Sequence, residues 1–223
     1  MATLRFAKLD PRSLPEAPNF NFELTLWNSG FSFVAGVDEA GRGALAGPVA
    51  AAAMVFPPDP ELEFLLHGVR DSKQLTENKR NEWARRLPKM AICFGVGMAG
   101  AAEIDEMGIV PATRLAVARA LNLLRPAPQH LLVDFLDLPE CELPQTALVK
   151  GDARSLSIAA ASILAKTARD QLLYQLDSRN PGYGFAHNKG YGTRGHQQAI
   201  QRLGYSPEHR RSFKIKSIEG GFR

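Results

Sequence analysis

The run Phe33-Val34-Ala35-Gly36-Val37 leads directly into two adjacent acids, Asp38 and Glu39, and then into the turn Gly41-Arg42-Gly43. A short apolar run closed by glycines reads as a strand buried on both faces. Two carboxylates at the end of such a strand are costly unless they are solvated, protonated or bound to a cation. Neighbours on a strand point to opposite faces, so both acids reach one site only if the strand ends or bulges there. The glycines that follow allow this. A fold for this chain has to bring the mouth of a buried strand to a place where negative charge is useful.

The same arrangement recurs twice. Asp134 follows Leu131-Leu132-Val133, and Asp152 stands in Val149-Lys150-Gly151-Asp152, after a weaker strand at Ala147-Leu148-Val149. Taken singly, each acid has a plain reading as a turn, loop or helix-capping residue. Three such sites at the ends of apolar runs point instead to convergence. Carboxylates without a histidine or cysteine companion are hard oxygen ligands that favour Mg²⁺ or Mn²⁺ over zinc. Such a set suits phosphodiester hydrolysis with two ions about 3.5–4 Å apart, one lowering the pKa of the attacking water and the other steadying the leaving oxygen.

The remaining elements predict an α/β fold with a mixed sheet. A second strand runs from Val49 to Phe56 and is closed by Pro57-Pro58, and a third spans Ala91 to Ala99. Thr76 caps a helix reaching Leu87, Pro111 serves as first residue of a helix through Leu124, and a long alanine-rich helix spans Ser155 to Leu176. With 45% hydrophobic residues among 223, the chain has enough apolar surface to offset the entropy of ordering, which excludes a disordered protein. Cys93 and Cys141 lie far apart, which excludes a disulfide-stapled mini-protein and any Cys-x-x-Cys pair. No apolar run approaches the ~20 residues of a membrane span, and the N-terminus lacks a signal-peptide core. The expectation is a cytoplasmic protein with no membrane contact. Gly36 and Gly41 are followed by Arg42-Gly43, not Lys-Ser/Thr, so this is no P-loop; Ala46 interrupts any dinucleotide fingerprint.

Charge is unevenly spread. Between residues 183 and 216, Lys189, Arg194, Arg202, Arg210, Arg211, Lys214 and Lys216 face Glu208 alone, whereas the preceding chain is close to neutral. Tyr183, Phe185, Tyr191, Tyr205 and Phe213 are interleaved with these cations, a mixture suited to phosphate contact plus stacking on sugars or bases. Asn180-Pro181-Gly182 marks the boundary. The expected organisation is an N-terminal extension of unassigned role (1–30), a core (31–182), and a basic C-terminal extension of the same domain that binds substrate (183–223). Charge alone does not separate a nuclease from a non-catalytic nucleic-acid binder.

The run Gly36-Val37-Asp38-Glu39-Ala40-Gly41-Arg42-Gly43, followed by Ala46-Gly47-Pro48-Val49, resembles the opening signature of type 2 ribonuclease H, the bacterial ribonuclease HII family. Asp71-Ser72-Lys73, Leu132-Val133-Asp134, Lys150-Gly151-Asp152, the helix from Ser157 to Lys166, and Asn188-Lys189-Gly190-Tyr191-Gly192-Thr193 match in the same order. The resemblance implies a ribonuclease H-like mixed sheet flanked by helices, with a C-terminal helical extension. It implies an endonuclease that cuts RNA in RNA–DNA hybrids and single ribonucleotides embedded in duplex DNA, leaving 3′-hydroxyl and 5′-phosphate ends. The catalytic and metal-binding acids would be Asp38, Glu39, Asp134 and Asp152, holding two Mg²⁺ or Mn²⁺ ions. Gly41, Arg42 and Gly43 would approach the ribose 2′-hydroxyl through the backbone, and Tyr191 would stack on the neighbouring deoxyribose. Lys73, Lys150, Lys189 and Arg194, by their places beside these motifs, would hold the nucleic-acid backbone. The enzyme is expected to act as a monomer. Asp137, three residues beyond Asp134, competes with it; Asp134 is preferred because it directly ends the apolar run.

Overall fold

The computed structural model describes residues 14–214. The first thirteen residues of the N-terminal extension and residues 215–223, Lys216 among them, lie outside the described residues. A five-stranded sheet runs in the order β3-β2-β1-β4-β5, with β1 at Val34–Ala40, β2 at Val49–Val55, β3 at Cys93–Ala99, β4 at His130–Asp134 and β5 at Gln145–Leu148. β1, β2 and β3 pair antiparallel, and β4 and β5 continue parallel to β1, giving the mixed sheet expected.

Two helices sandwich the centre of the sheet. α5 (Ile109–Leu121) covers the face carrying Ala35, Val37, Ala51 and Ala53. α6 (Leu156–Arg179) covers the face carrying Ala52 and Met54. Small residues in the strands set how closely these helices approach. A Cβ on Gly36 would stand 2.1 Å from the backbone carbon of Ser157, and one on Gly97 would stand 2.1 Å from the Ala116 carbonyl oxygen. The alanine run of β2 has the same effect in the middle of the sheet. Ser155 caps α6, its hydroxyl accepting from the Ile158 N–H at 3.2 Å.

The elements differ from the sequence expectation in ways that have local causes. α5 starts at Ile109, so Pro111 is its third residue; N–H groups throughout the first turn lack helical partners, and proline is tolerated there. Gly108, with φ +83°, separates α5 from α4 (Ala101–Met107), which the sequence reading missed. β5 begins at Gln145, two residues early. It is an edge strand, half-exposed along most of its length, so no apolar run announces it. α3 (Glu77–Arg86) is capped by Thr76 as expected, and α2 (Leu62–Leu65) is a single turn after β2.

The N-terminal segment is bound into the body. α1 (Asn21–Asn28) follows Phe20, whose ring is wholly buried against Phe56 and Trp27. Glu23 is buried too, and its Oε1 accepts from the hydroxyls of Ser155 and Ser157 at 2.6 Å each and from the Ser157 N–H at 3.0 Å. This bond set ties α1 to the start of α6. Burial raises the Glu23 carboxyl above its ordinary value, and these hydrogen bonds oppose the rise.

The C-terminal segment holds α7 (Phe185–Asn188) and α8 (Arg194–Leu203), packed on the second half of α6. Its aromatics are not all available for stacking as expected. Tyr183 and Phe185 are buried and stacked on each other at 5.5 Å, next to the buried His196 and His209. Apolar burial outcompetes exposure for these rings.

Gly36→Ala is expected to destabilise the protein, because its methyl meets backbone that cannot swing aside. The cost of such overpacking is about 1–3 kcal/mol, or roughly 2–4 °C in Tm per kcal/mol for a chain of this size. Thermal unfolding measures it, and an unchanged Tm would show that α6 does not lie this close to β1.

Candidate active site

Parallel pairing places Val37 of β1 beside Val133 of β4, so Asp38 and Asp134 lie at neighbouring mouths of adjacent strands. One strand further, Asp134 pairs with Leu148, and the chain then turns through Lys150, held in the left-handed region at φ +54°. The 3₁₀ turn Gly151–Ala153 carries Asp152 back to the same edge. Oxygens of Asp38, Asp134 and Asp152 lie within 4.8 Å of one another. The ends of parallel strands are where open α/β sheets gather functional groups.

Backbone amides fix two of these carboxylates. Asp38 Oδ1 accepts from the Glu39 N–H, and Asp134 Oδ1 accepts from the Gly151 N–H, both at 2.7 Å. Glu39 lies beside the group, and its Oε1 is 3.4 Å from Nη1 of Arg42. Asp137 is exposed and lies outside the group, whereas Asp134 is part of it.

Burial pushes all four carboxyls upward, and repulsion from neighbouring carboxylates adds to the rise at Asp38, Asp134 and Asp152. Asp38 rises well above the usual carboxylate range, first from burial and then from the charges of Glu39 and Asp134. Burial raises Glu39 against the opposing pull of Arg42. Asp134 is raised by burial, partly offset by the Gly151 N–H. Asp152 is pushed up to about 6 by burial and by Asp134 and Asp71, with Lys73 opposing. Buried oxygens that repel one another and lack enough protein cations to neutralise them fit hard divalent cations.

Two clefts meet at this ridge of acids. One, of about 530 Å³, is lined by Asp38, Glu39, Gly41, Arg42, Gly43 and Tyr191 among others. The other, of about 480 Å³, includes Asp71, Lys150 and Asp152; Asp134 and Lys73 border both. The Lys73 ammonium is 3.7 Å from both Asp71 and Asp152. Burial alone would lower it, but the surrounding carboxylates raise it overall. The other two expected cations are placed elsewhere. Lys189 turns its ammonium to the Ala186 carbonyl and over the Tyr174 ring, and Arg194 is exposed at the start of α8.

Several residues that hold the site gave no signal in the sequence. Arg169 and Arg210 are buried, and each grips three carbonyls of the loops around the cleft. Arg169 donates to Ala46, Pro48 and Lys189, and Arg210 to Gly41, Arg42 and Gly47. Arg210, one of the cations of the basic segment read as suited to phosphate contact, is removed from solvent. Gly41, at φ +90°, is required by close approach, since a Cβ would stand 1.9 Å from Arg169 Nε. The turn carrying Lys73 is tied to α6 by Ser162, whose hydroxyl donates to Ser72 Oγ at 2.9 Å, and to α3 by Arg80, which donates to the Ser72 carbonyl at 3.1 Å.

Tyr191 is held from behind. The Arg169 guanidinium lies 5.4 Å from its ring centre and the Lys166 ammonium 5.7 Å. Its carbonyl is fixed by a pair of histidines whose tautomers follow from their partners. The Ser206 N–H can only donate, so His209 Nδ1 accepts and its proton sits on Nε2. That proton goes to His196 Nε2 at 3.1 Å, which leaves His196 Nδ1–H to donate to the Tyr191 carbonyl at 2.9 Å. Burial lowers both rings, His209 to about 4, and keeps the string neutral.

A family model described as Ribonuclease HII matches residues 35–216. The chain is 52% identical to the ribonuclease HII of Synechococcus sp. (strain JA-3-3Ab) over 207 residues, 92% of each. Among solved structures, the ribonuclease H2 of Pyrococcus horikoshii OT3 superposes with a TM-score of 0.67 at 31% identity, covering 82% of this chain and 94% of that one. The ribonuclease HII of Archaeoglobus fulgidus, solved in complex with PCNA, gives 0.70 at 26% identity, over 83% and 96%.

A carboxyl whose pKa is raised by folding holds its proton more tightly in the folded state. It therefore favours the fold at low pH and opposes it as pH climbs past the unfolded value near 4 and through the folded one. Asp38→Asn is thus expected to raise Tm at pH 8 in EDTA, with a smaller gain at pH 5. Added Mg²⁺ should stabilise the parent protein more than the variant. Equal Tm values in EDTA across this pH range would contradict the electrostatic account.

Proposed function

The chain belongs to the ribonuclease HII family, and we propose how its own residues carry out that family's reaction. It is a metal-dependent ribonuclease H, a nuclease acting on RNA–DNA hybrids. Our reading extends to single ribonucleotides embedded in duplex DNA, cut on their 5′ side to leave 3′-hydroxyl and 5′-phosphate ends. The observation that carries it is the convergence of Asp38, Asp134 and Asp152 where two clefts meet, one of them walled by the Gly41-Arg42-Gly43 turn.

In this reading Asp38, Glu39, Asp134 and Asp152 hold two Mg²⁺ or Mn²⁺ ions against the scissile phosphate. When bound, such ions supply Lewis acidity that offsets phosphate charge and makes water a better nucleophile. The Glu39 and Gly151 amides keep the Asp38 and Asp134 oxygens aimed before substrate arrives. Buried, preoriented groups of this kind avoid reorganisation during reaction.

The glycine turn supplies selectivity. A 2′-hydroxyl is what distinguishes RNA from DNA at a given nucleotide, and backbone can reach it only where no side chain intervenes. A Cβ on Gly43 would meet no protein atom within 4 Å, so the space beside it is free for a ligand. Tyr191, on the same cleft, offers a ring face to the adjoining deoxyribose. Lys73 and Lys150 line the clefts and would contact phosphates on either side. Lys189 and Arg194 lie outside the lining of both clefts and would contact the nucleic-acid backbone away from the acids. One chain supplies every group named here, which supports a monomeric enzyme. Two free thiols, Cys93 and Cys141, support a cytoplasmic setting. Among the described residues, no helix is long and apolar enough to cross a membrane.

The test compares duplex DNA with and without one embedded ribonucleotide, in Mg²⁺. Cleavage of the ribonucleotide duplex alone supports the reading; cleavage of both points to a general nuclease, and of neither to a binder. Asp134→Asn should lower the rate by at least about a thousandfold while hybrid binding largely persists. Gly43→Ala should fold with an unchanged Tm yet lose kcat/KM on the ribonucleotide duplex. Full activity in either variant removes that residue from the mechanism.

A further inference from the structure

The segment after α8 sends one buried side chain, Arg210, beneath the glycine turn. Its Nη2 donates to the Gly41 carbonyl and its Nη1 to the Arg42 carbonyl, both at 2.8 Å, and its Nε to the Gly47 carbonyl at 2.9 Å. In a trans peptide the carbonyl and the following N–H point in opposite directions. Drawing the Gly41 and Arg42 carbonyls inward therefore turns the N–H groups of Arg42 and Gly43 outward, on the side where the turn lines the cleft. Among the described residues neither N–H has a hydrogen-bond partner in the protein. Two outward donors on successive peptides, next to a glycine with open space, are arranged to hold one oxygen.

We propose that Arg210 is a positioning residue for ribose recognition: its guanidinium sets the two peptide planes that present the Arg42 and Gly43 amides to a 2′-hydroxyl. This rests on the reading of the glycine turn given above and extends it to a residue 168 positions away in the chain. The planar fork of arginine is needed because three carbonyls in different directions must be met at once; a lysine ammonium has neither the reach nor the geometry. The segment is itself docked from outside. Asp105 of α4 accepts from the N–H groups of Arg211 and Ser212 at 2.9 Å each and from the Ser212 hydroxyl at 2.6 Å.

Binding separates this role from a purely structural one. In an Asp134→Asn background, which keeps substrate intact, affinities are measured for a duplex with one ribonucleotide and for its all-DNA counterpart. Two neutral hydrogen bonds predict a preference of about tenfold for the ribonucleotide duplex. Adding Arg210→Lys should bring that preference close to one while leaving the all-DNA affinity unchanged. A folded Arg210→Lys protein that retains the preference overturns the proposal. Should that variant not fold, Asp105→Ala loosens the same segment from a half-buried position outside the glycine turn. A reduced preference in it supports the role, and an unchanged one overturns it. If the background itself shows no preference, the ribose reading of the turn fails and the role of Arg210 falls with it; that result is distinct from a preference that survives the substitution.

Discussion

The parallel pairing of β1 with β4 is the constraint on which the site depends. Its register makes Asp38 and Asp134 neighbours, and continuing the same pairing into β5 returns Asp152 to them. A one-residue slip would turn every side chain of the strand to the other face and scatter the acids. The register is secured from both sides, by α5 on one face and by α6 pressed against Gly36 on the other. Core packing and the geometry of the acid cluster are therefore one problem in this protein.

The acids oppose the fold that gathers them. Each is raised by burial, so in the absence of cations the site stores unfavourable electrostatic energy. The Glu39 and Gly151 N–H groups offset part of this at Asp38 and Asp134. Arg169 and Arg210 place two cations behind the cleft, each bound to carbonyls rather than to the carboxylates. They brace the loops without neutralising the acids, which leaves the negative charge for an incoming cation. Lys73 and Arg42 are the exceptions, the first reaching Asp152 from an exposed position and the second reaching Glu39.

The central strands, α3 and the long α6 were legible because apolar periodicity and capping residues such as Thr76 and Ser155 are local signals. The acids were legible for the same reason: each interrupts or ends an apolar run. Elements with weak local signals were not. β5 is a half-exposed edge, α4 is a short helix between glycines, and α1 is anchored by a buried Glu23 whose partners lie more than 130 residues away. The buried arginines were illegible in principle. An arginine in a basic segment reads as solvated, and only the three-dimensional meeting of several loops reveals carbonyls for it to bind. The same blindness assigned Tyr183 and Phe185 to the surface when they form an aromatic core with His196 and His209.

The bond between Arg210 and the turn at Gly41 bears on how the molecule comes into being on the ribosome. Synthesis delivers β1, β2 and the first acids early, and the sheet can close once β4 and β5 have emerged. The turn beside Asp38, made among the first segments, waits for a side chain translated 169 positions later. Contacts of such long separation form late and carry a large loop-closure cost. On the reading proposed above, a nascent chain would gather its acids before it could brace the turn assigned to ribose recognition, and the two capacities would mature in that order.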